Sequence, residues 1–195
     1  MWRRKTRKIA TATSAVEKTS LRVVESNRMV LVAANADLVR ADLEGVVPLG
    51  DMLEAQVPEN WPPELYDREA MEYALRMLDD TTVPGWSFWY LLKRSEQPPQ
   101  LLGICGFKGR PDAAGSAEIG YSIISQFRNQ GFASEAVDRL VRWAFSHQIV
   151  HEVSAETLPH LPSSIRVMKK NGFEFVGAGS ERGVVRYAVQ RPDRR

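Results

Sequence analysis

Two hydrophobic rhythms alternate along this chain. Short runs rich in β-branched and aromatic residues predict strands: Asn27 to Ala34, Trp86 to Lys93, Leu101 to Lys108 and Ala117 to Ile124. A helical rhythm follows the last of them. Ala133, Ala136, Val137, Leu140, Val141 and Ala144 recur on one face, which predicts an amphipathic helix directly after Gly131. Within it Glu135 precedes Arg139, and Asp138 precedes Arg142, by one helical turn. Each such acid-before-base pair adds about 0.2–0.5 kcal/mol where it forms.

Shorter elements surround this centre. Asn35 or Asp37 can cap a helix running to about Glu44. Pro48, Pro58, Pro62 and Pro63 predict irregular chain from Val46 to Pro63. A helix is expected from Glu64 to Leu78, with Leu65, Ala70, Tyr73, Ala74 and Met77 on its apolar side. Val150 to Leu158 reads as a strand and Ser163 to Lys170 as a short helix, stopped by Asn171-Gly172. Phe173 to Gly177 and Val184 to Gln190 close the chain as two strands. Strands before and after helices, with tight hairpins, imply a mixed α/β or α+β sheet sandwich.

Composition sharpens this picture in two places. The net charge is +2, but the first ten residues hold five bases (Arg3, Arg4, Lys5, Arg7, Lys8) and no acid. The remainder therefore carries 21 bases against 24 acids. A mildly acidic body argues against a broad nucleic-acid-binding face there. Residues 1–20 suit a frayed extension, or an organelle transit peptide on composition, while no apolar segment follows the charges as a secretory signal requires. No run approaches the ~20 apolar residues of a membrane span. The single cysteine, Cys105, lies in an apolar-glycine run, so no disulfide framework exists and a reducing, cytoplasmic setting is expected. Residues 21–190 are expected to form one domain, with a polar tail over 191–195.

The candidate chemistry begins at the turn into the amphipathic helix. Helix N-termini present unsatisfied N–H groups and about half a positive charge. Gly131 removes the Cβ that would keep an anion away from the backbone, Ala133 is small, and Arg128 can add a charged contact. The turn lacks the Gly-Lys-Ser/Thr ending of a Walker A loop and the Gly-x-Gly-x-x-Gly of a dinucleotide fold. Taken alone, it is a weak signal for phosphate.

Its neighbours make it stronger. Ala117-Glu118-Ile119-Gly120-Tyr121-Ser122-Ile123 precedes Arg128-x-x-Gly131-x-Ala133-Ser134-Glu135-Ala136. Trp143-Ala144-Phe145 and then Ser164-Ile165-Arg166-Val167-Met168-Lys169-Lys170-x-Gly172-Phe173 follow. In order and spacing these segments resemble the GNAT superfamily of acetyl-CoA-dependent N-acetyltransferases, most closely the branch acting on N-terminal amines of ribosomal proteins and on small amines. The resemblance spans about Arg28 to Tyr187. It implies a central, mostly antiparallel sheet of about six or seven strands flanked by helices, with splayed central strands forming the acetyl-CoA cleft. It implies that Arg128, Asn129, Gln130, Gly131, Phe132 and Ala133 hold the CoA pyrophosphate through backbone amides, with the Ser134 hydroxyl assisting. Ile123 and Ile124 would pair with the pantetheine arm and polarise the thioester carbonyl.

Acetyl transfer needs a neutral amine and a proton for the leaving thiolate. Glu118 is the candidate base, directly or through water, since it shares a strand face with Gly120 and Ser122. Its plainer reading is a carboxylate that positions substrate or bonds to nearby backbone. Many family members carry a tyrosine acid where this chain has Met168, and commonly an asparagine where it has Leu161. Ser164 is then the nearest hydroxyl for the thiolate, unless it merely caps its helix. Tyr121 is expected in the core. His147, His151 and His160 lack metal-ligand spacing, so no metal is expected, and only His160 falls near the presumed acceptor channel. Alternation puts Trp86, Phe88 and Tyr90 on one strand face and Trp89 on the other. With Trp61 they either pack the core or line the acceptor side. The expected partners are acetyl-CoA and an unidentified amine, with the chain a monomer or homodimer. A non-catalytic acyl-CoA-binding module on the same fold is the competing reading.

Overall fold

The computed structural model describes residues 21–79 and 85–192. The expectations for residues 1–20 lie outside the described residues. The elements, in chain order, are β1 (Val23–Glu25), β2 (Met29–Ala33), α1 (Ala36–Glu44), α2 (Val46–Leu53), α3 (Arg68–Asp79), β3 (Phe88–Lys93), β4 (Gln100–Phe107) and β5 (Ser116–Ile123). After a 3-10 turn over Ser125–Phe127 come α4 (Phe132–Phe145), β6 (Glu152–Thr157), α5 (Pro162–Lys170), β7 (Glu174–Ala178) and β8 (Val185–Gln190).

The strands form one eight-stranded sheet in the order β1-β2-β3-β4-β5-β6-β8-β7. All neighbours run antiparallel except β5 and β6, which run parallel. That parallel pairing is short. Ser116, Ala117 and Glu118 face Glu152, Val153 and Ser154, and pairing then stops. Five residues of β5 and three of β6 continue beyond it. The two halves of the sheet therefore part at its centre.

Each face of the sheet carries its own core. Trp89, Leu91, Leu102, Cys105 and Ile119 pack against Ala136, Val137, Leu140 and Ala144 of α4, with Met168 of α5. On the other face Val32, Phe88, Tyr90 and Leu101 pack against Leu38 and Val39 of α1, Leu49 and Leu53 of α2, and Met71 and Ala74 of α3. Trp89 and Tyr90 are both fully buried, one on each side, as strand alternation requires. Full burial of a large apolar side chain contributes about 1.5–3 kcal/mol. The helices on both faces are thus held by their apolar stripes more than by surface ion pairs.

Several expectations need correction. Val46 to Pro63 is not wholly irregular, because α2 occupies Val46–Leu53. Pro48 falls in its first turn, where the missing N–H costs no helical bond. The third helix starts at Arg68, where the Asp67 carboxylate accepts from the Ala70 N–H at 3.0 Å. Leu65 lies outside it at 93% exposure, Tyr73 is exposed, and Met71 with Ala74 forms the buried side. Trp86 precedes β3 and joins the α4 face beside Trp143, opposite Phe88 and Tyr90. Strand β1 was not foreseen. Arg191, at the start of the expected polar tail, is tied to the carbonyls of Val150, Phe145 and His147.

One buried polar group organises the α1–α3 side. Asp42 of α1 is 5% exposed. It accepts from Trp61 Nε1 at 2.7 Å, Tyr66 OH at 3.0 Å and Tyr90 OH at 2.9 Å. Burial raises the pKa of its carboxyl, against the lowering effect of the three donors. The cluster ties α1 and the Trp61–Tyr66 loop to β3, so Trp61 and Tyr90 serve the core. Removing the acceptor leaves three buried donors unpaired, at about 1–3 kcal/mol each. Asp42→Ala is therefore expected to lower the urea-unfolding free energy by about 3 kcal/mol or more. Asp42→Asn, which keeps one acceptor, should lose less.

Candidate active site

The parting of β5 from β6 exposes backbone. Lys108 N–H donates to the Glu118 carbonyl, and Ile124 N–H donates to the Leu102 carbonyl, which sets the phase of the β4–β5 ladder. Alternate residues of an antiparallel strand bond to a given neighbour. Glu118, Gly120, Ser122 and Ile124 therefore spend their main-chain groups on β4. Ile119, Tyr121 and Ile123 turn theirs toward the gap. Of the two isoleucines expected along the cofactor arm, Ile123 turns its main-chain groups toward the gap, while the Ile124 N–H is bound to β4 and its side chain is buried.

The gap leads to the turn before α4. Gly131 is the helix N-cap, at φ 84° and ψ 2°. This left-handed conformation suits glycine and strains other residues. The first helical bond runs from Glu135 N–H to the Gly131 carbonyl. Among the described residues, the N–H groups of Gly131, Phe132, Ala133 and Ser134 have no hydrogen-bond acceptor. Four adjacent donors at a helix N-terminus make an anion cradle. Asn129, also left-handed at φ 59°, and Gln130 turn the chain into it.

Arg128 stands beside the cradle with both ends engaged. Its Nε donates to the Ile123 carbonyl at 2.8 Å, and its guanidinium pairs with Glu64 Oε2 at 3.0 Å. The Ser122 hydroxyl donates to the Glu64 carbonyl at 2.6 Å. The loop before α3 is thereby fastened across the end of β5.

The titratable candidates separate onto the two sheet faces. Glu118 shares the α1–α3 side with Ser122 and forms an ion pair with the Lys108 ammonium. Ser164 lies on the opposite side, near the start of α5. Leu161 occupies the N-cap and makes no side-chain cap bond, so Ser164 is not the cap residue. The Tyr121 hydroxyl lies 3.1 Å from Ser164 Oγ and donates to the Ser164 carbonyl at 3.0 Å. Tyr121 is thus a half-buried polar residue and not simple core. Burial pushes its phenol up to about 12, with the Ser164 bond acting the other way. It stays protonated across the neutral range.

The other candidates take structural places. Met168 is 1% exposed and packs in the core. Cys105 is fully buried, and burial raises its thiol pKa. His147 bonds through Nδ1 to the Trp143 carbonyl at 3.0 Å and packs on two tryptophans. His160 is exposed between β6 and α5. Among the described residues, no cluster of three His, Cys, Asp or Glu side chains could hold a metal. No helix among them is long and apolar enough to cross a membrane.

A family model described as an acetyltransferase (GNAT) domain matches residues 37–174. The chain belongs to the GNAT acetyltransferase family. It is 27% identical over 156 residues to the uncharacterized N-acetyltransferase YjdG of Bacillus subtilis, covering 77% of this chain and 89% of that protein. Its fold is similar to that of RimL, a ribosomal L7/L12 alpha-N-protein acetyltransferase solved with coenzyme A, at a TM-score of 0.62 and 18% identity over 87% of this chain and 98% of the other. It is also similar to a spermidine N-acetyltransferase chimera from Vibrio cholerae and human sequence, at a TM-score of 0.60 and 15% identity over 85% and 96% of the two chains. The expected GNAT sheet is thus present, with eight strands and the expected central parting.

Two features escaped the sequence. Arg28 reaches the α4 turn from the other end of the domain, and Tyr121 meets Ser164 across the gap. Neither partner is a local neighbour in the chain, so spacing carried no signal of them. Gly131 gives a direct test of the turn. Gly131→Ala places a side chain at φ 84° and should cost about 1–2 kcal/mol in urea unfolding.

Proposed function

We propose that this chain transfers the acetyl group of acetyl-CoA to a primary amine, in a ternary complex and within a single catalytic domain over residues 21–190. The observation that carries this reading is the row of four unpaired N–H groups from Gly131 to Ser134, at the end of the gap between β5 and β6. An extended ligand with a diphosphate at one end fits both features. Acetyl-CoA brings the acetyl group activated as a thioester; the rest is the work of these residues. Main-chain amides of Gly131 to Ser134, with Arg128, Asn129 and Gln130 shaping the turn, would hold the diphosphate. Ile123 would align the pantetheine arm by its gap-side backbone, where Arg128 now bonds to the carbonyl.

Glu118 would accept the proton released from the amine, through water. From the opposite face, the Tyr121–Ser164 hydroxyl pair would return a proton to the departing thiolate. The amine nitrogen bonds to the acetyl carbon as the carbon–sulfur bond breaks, so charge balances with one proton taken and one given. Most of the rate gain would come from holding both substrates in line. The buried thiol of Cys105 offers no nucleophile for a covalent route and suits a reducing, cytoplasmic setting.

Incubation with acetyl-CoA across a panel of amines and N-terminal peptides should release free thiol only when an acceptor is present. Glu118→Gln should reduce kcat about a hundredfold. An unchanged kcat removes Glu118 from this role. Tyr121→Phe and Ser164→Ala should each lower kcat about tenfold, with little change in the KM for acetyl-CoA.

The second reading is a module that binds acyl-CoA without transferring it. The buried Met168, where many family members carry a tyrosine acid, favours it. The Tyr121–Ser164 pair offers a replacement donor and weighs against it. CoA binding without acceptor-dependent thiol release from any amine would establish the second reading.

A further inference from the structure

We propose that Arg28, in the turn between β1 and β2, is a positioning residue that holds the diphosphate turn in its binding geometry. This rests on the acetyl-CoA reading above. Arg28 lies over a hundred positions from the turn in sequence, yet it makes four contacts there. Its Nε pairs with Glu135 Oε2 at 2.7 Å, and its own backbone N–H donates to Glu135 Oε1 at 3.0 Å. Its guanidinium donates through NH1 to the Gln130 carbonyl at 3.0 Å. The same group lies 4.4 Å from the centre of the Phe132 ring. Gln130, Phe132 and Glu135 flank the free N–H groups on both sides, so one side chain fixes both the entry and the first turn of α4.

The charge logic explains why the position needs a cation. Glu135 sits in the first turn of α4, at the end of the helix where the ligand's phosphates would bind. An isolated carboxylate there would compete with the diphosphate for the N–H groups and repel it. Burial acts to raise the Glu135 pKa, but hydrogen bonds from Ser26 and Arg28, with the Arg28 charge, hold it below the ordinary carboxylate range. The carboxylate is therefore ionised but bound to Arg28, turned toward the β1–β2 turn. The expected helical pair Glu135–Arg139 does not form, and Arg139 Nε is left without a hydrogen-bond partner. Gly131 fits the same arrangement. A Cβ there would come within 3.4 Å of the guanidinium.

The test compares two acetyl donors, acetyl-CoA and S-acetylpantetheine, which lacks the diphosphate. Arg28→Ala is expected to raise the KM for acetyl-CoA, and the Kd for CoA by calorimetry, about tenfold. The loss of kcat/KM with S-acetylpantetheine should be several times smaller, and kcat at saturating acetyl-CoA should change least. Arg28→Lys should recover part of the affinity, since lysine keeps the charge but not the forked contact. A role confined to general stability would lower kcat/KM equally with both donors, and that result overturns the proposal. Should Arg28→Ala fail to fold, Arg28→Gln removes the charge and keeps part of the side chain. The same selective loss with acetyl-CoA is then expected, and an equal loss with both donors again overturns it. CoA binding by the unsubstituted protein that Arg28→Ala leaves unchanged overturns this inference alone. No CoA binding by the unsubstituted protein overturns the acetyl-CoA reading as well.

Discussion

A buried or half-buried backbone must satisfy its hydrogen bonds, and in the middle of this sheet the chain itself does not do so. β5 and β6 pair over three residues and then separate. Beyond Glu118 the edge of β5 turns main-chain groups of Tyr121 and Ile123 toward a gap, where the Ile123 carbonyl is met by Arg128. Unpaired strand edges are costly or hazardous unless covered or used. Here the outer neighbours of both strands remain paired, so the gap cannot close by simple repacking. β4 holds β5 on one side and β8 holds β6 on the other. The elements of the candidate site take their places around that enforced opening.

Magnitudes decide how its anion end can work. A helix terminus offers about half a positive charge. Glu135, one turn in, carries a full negative one. Without compensation the local balance would be unfavourable for a phosphate, whatever the geometry of the N–H groups. Arg28 reverses this by cancelling Glu135, which leaves the dipole and the free donors in control. Arg128 adds a further cation, engaged for now by Glu64 and the Ile123 carbonyl. A diphosphate would offer such a guanidinium more charge than one exposed carboxylate does, so exchanging Glu64 for the proposed ligand would be electrostatically downhill. Since Glu64 also receives the Ser122 hydroxyl, the turn before α4 and the loop before α3 share one contact set.

The sequence made the main strands and α4 legible, because their apolar rhythms are long and each is matched by burial. Gly131 marked the start of α4 correctly, since a left-handed N-cap has a residue preference visible in one letter. Other features depended on partners remote in the chain. Pro48 looked like a breaker, but its place in a first helical turn could only follow from where α2 begins. Glu135 looked paired to Arg139 by helical spacing, while Arg28, more than a hundred residues away, offered both its guanidinium and its own backbone N–H. Tyr121 looked like core by alternation. Its face was right, but α5 arrives there with Ser164 and gives the phenol a polar partner. Local pattern identifies which way a side chain points, and tertiary packing decides what it meets.

The division of Glu118 from Tyr121 and Ser164 across the sheet would also suit the proposed transfer, because it keeps the carboxylate and the hydroxyl pair apart. Parted strands let one carboxylate and one hydroxyl pair approach the gap from opposite sides, separated by β5 itself. A proton taken from an amine on the α1–α3 face and a proton returned to a thiolate from the α5 face then need not share a path. The half-buried phenol favours its neutral form, and the Lys108 ammonium sits against Glu118. A single crossing point, the gap beyond Glu118, would bring the two halves of the reaction together.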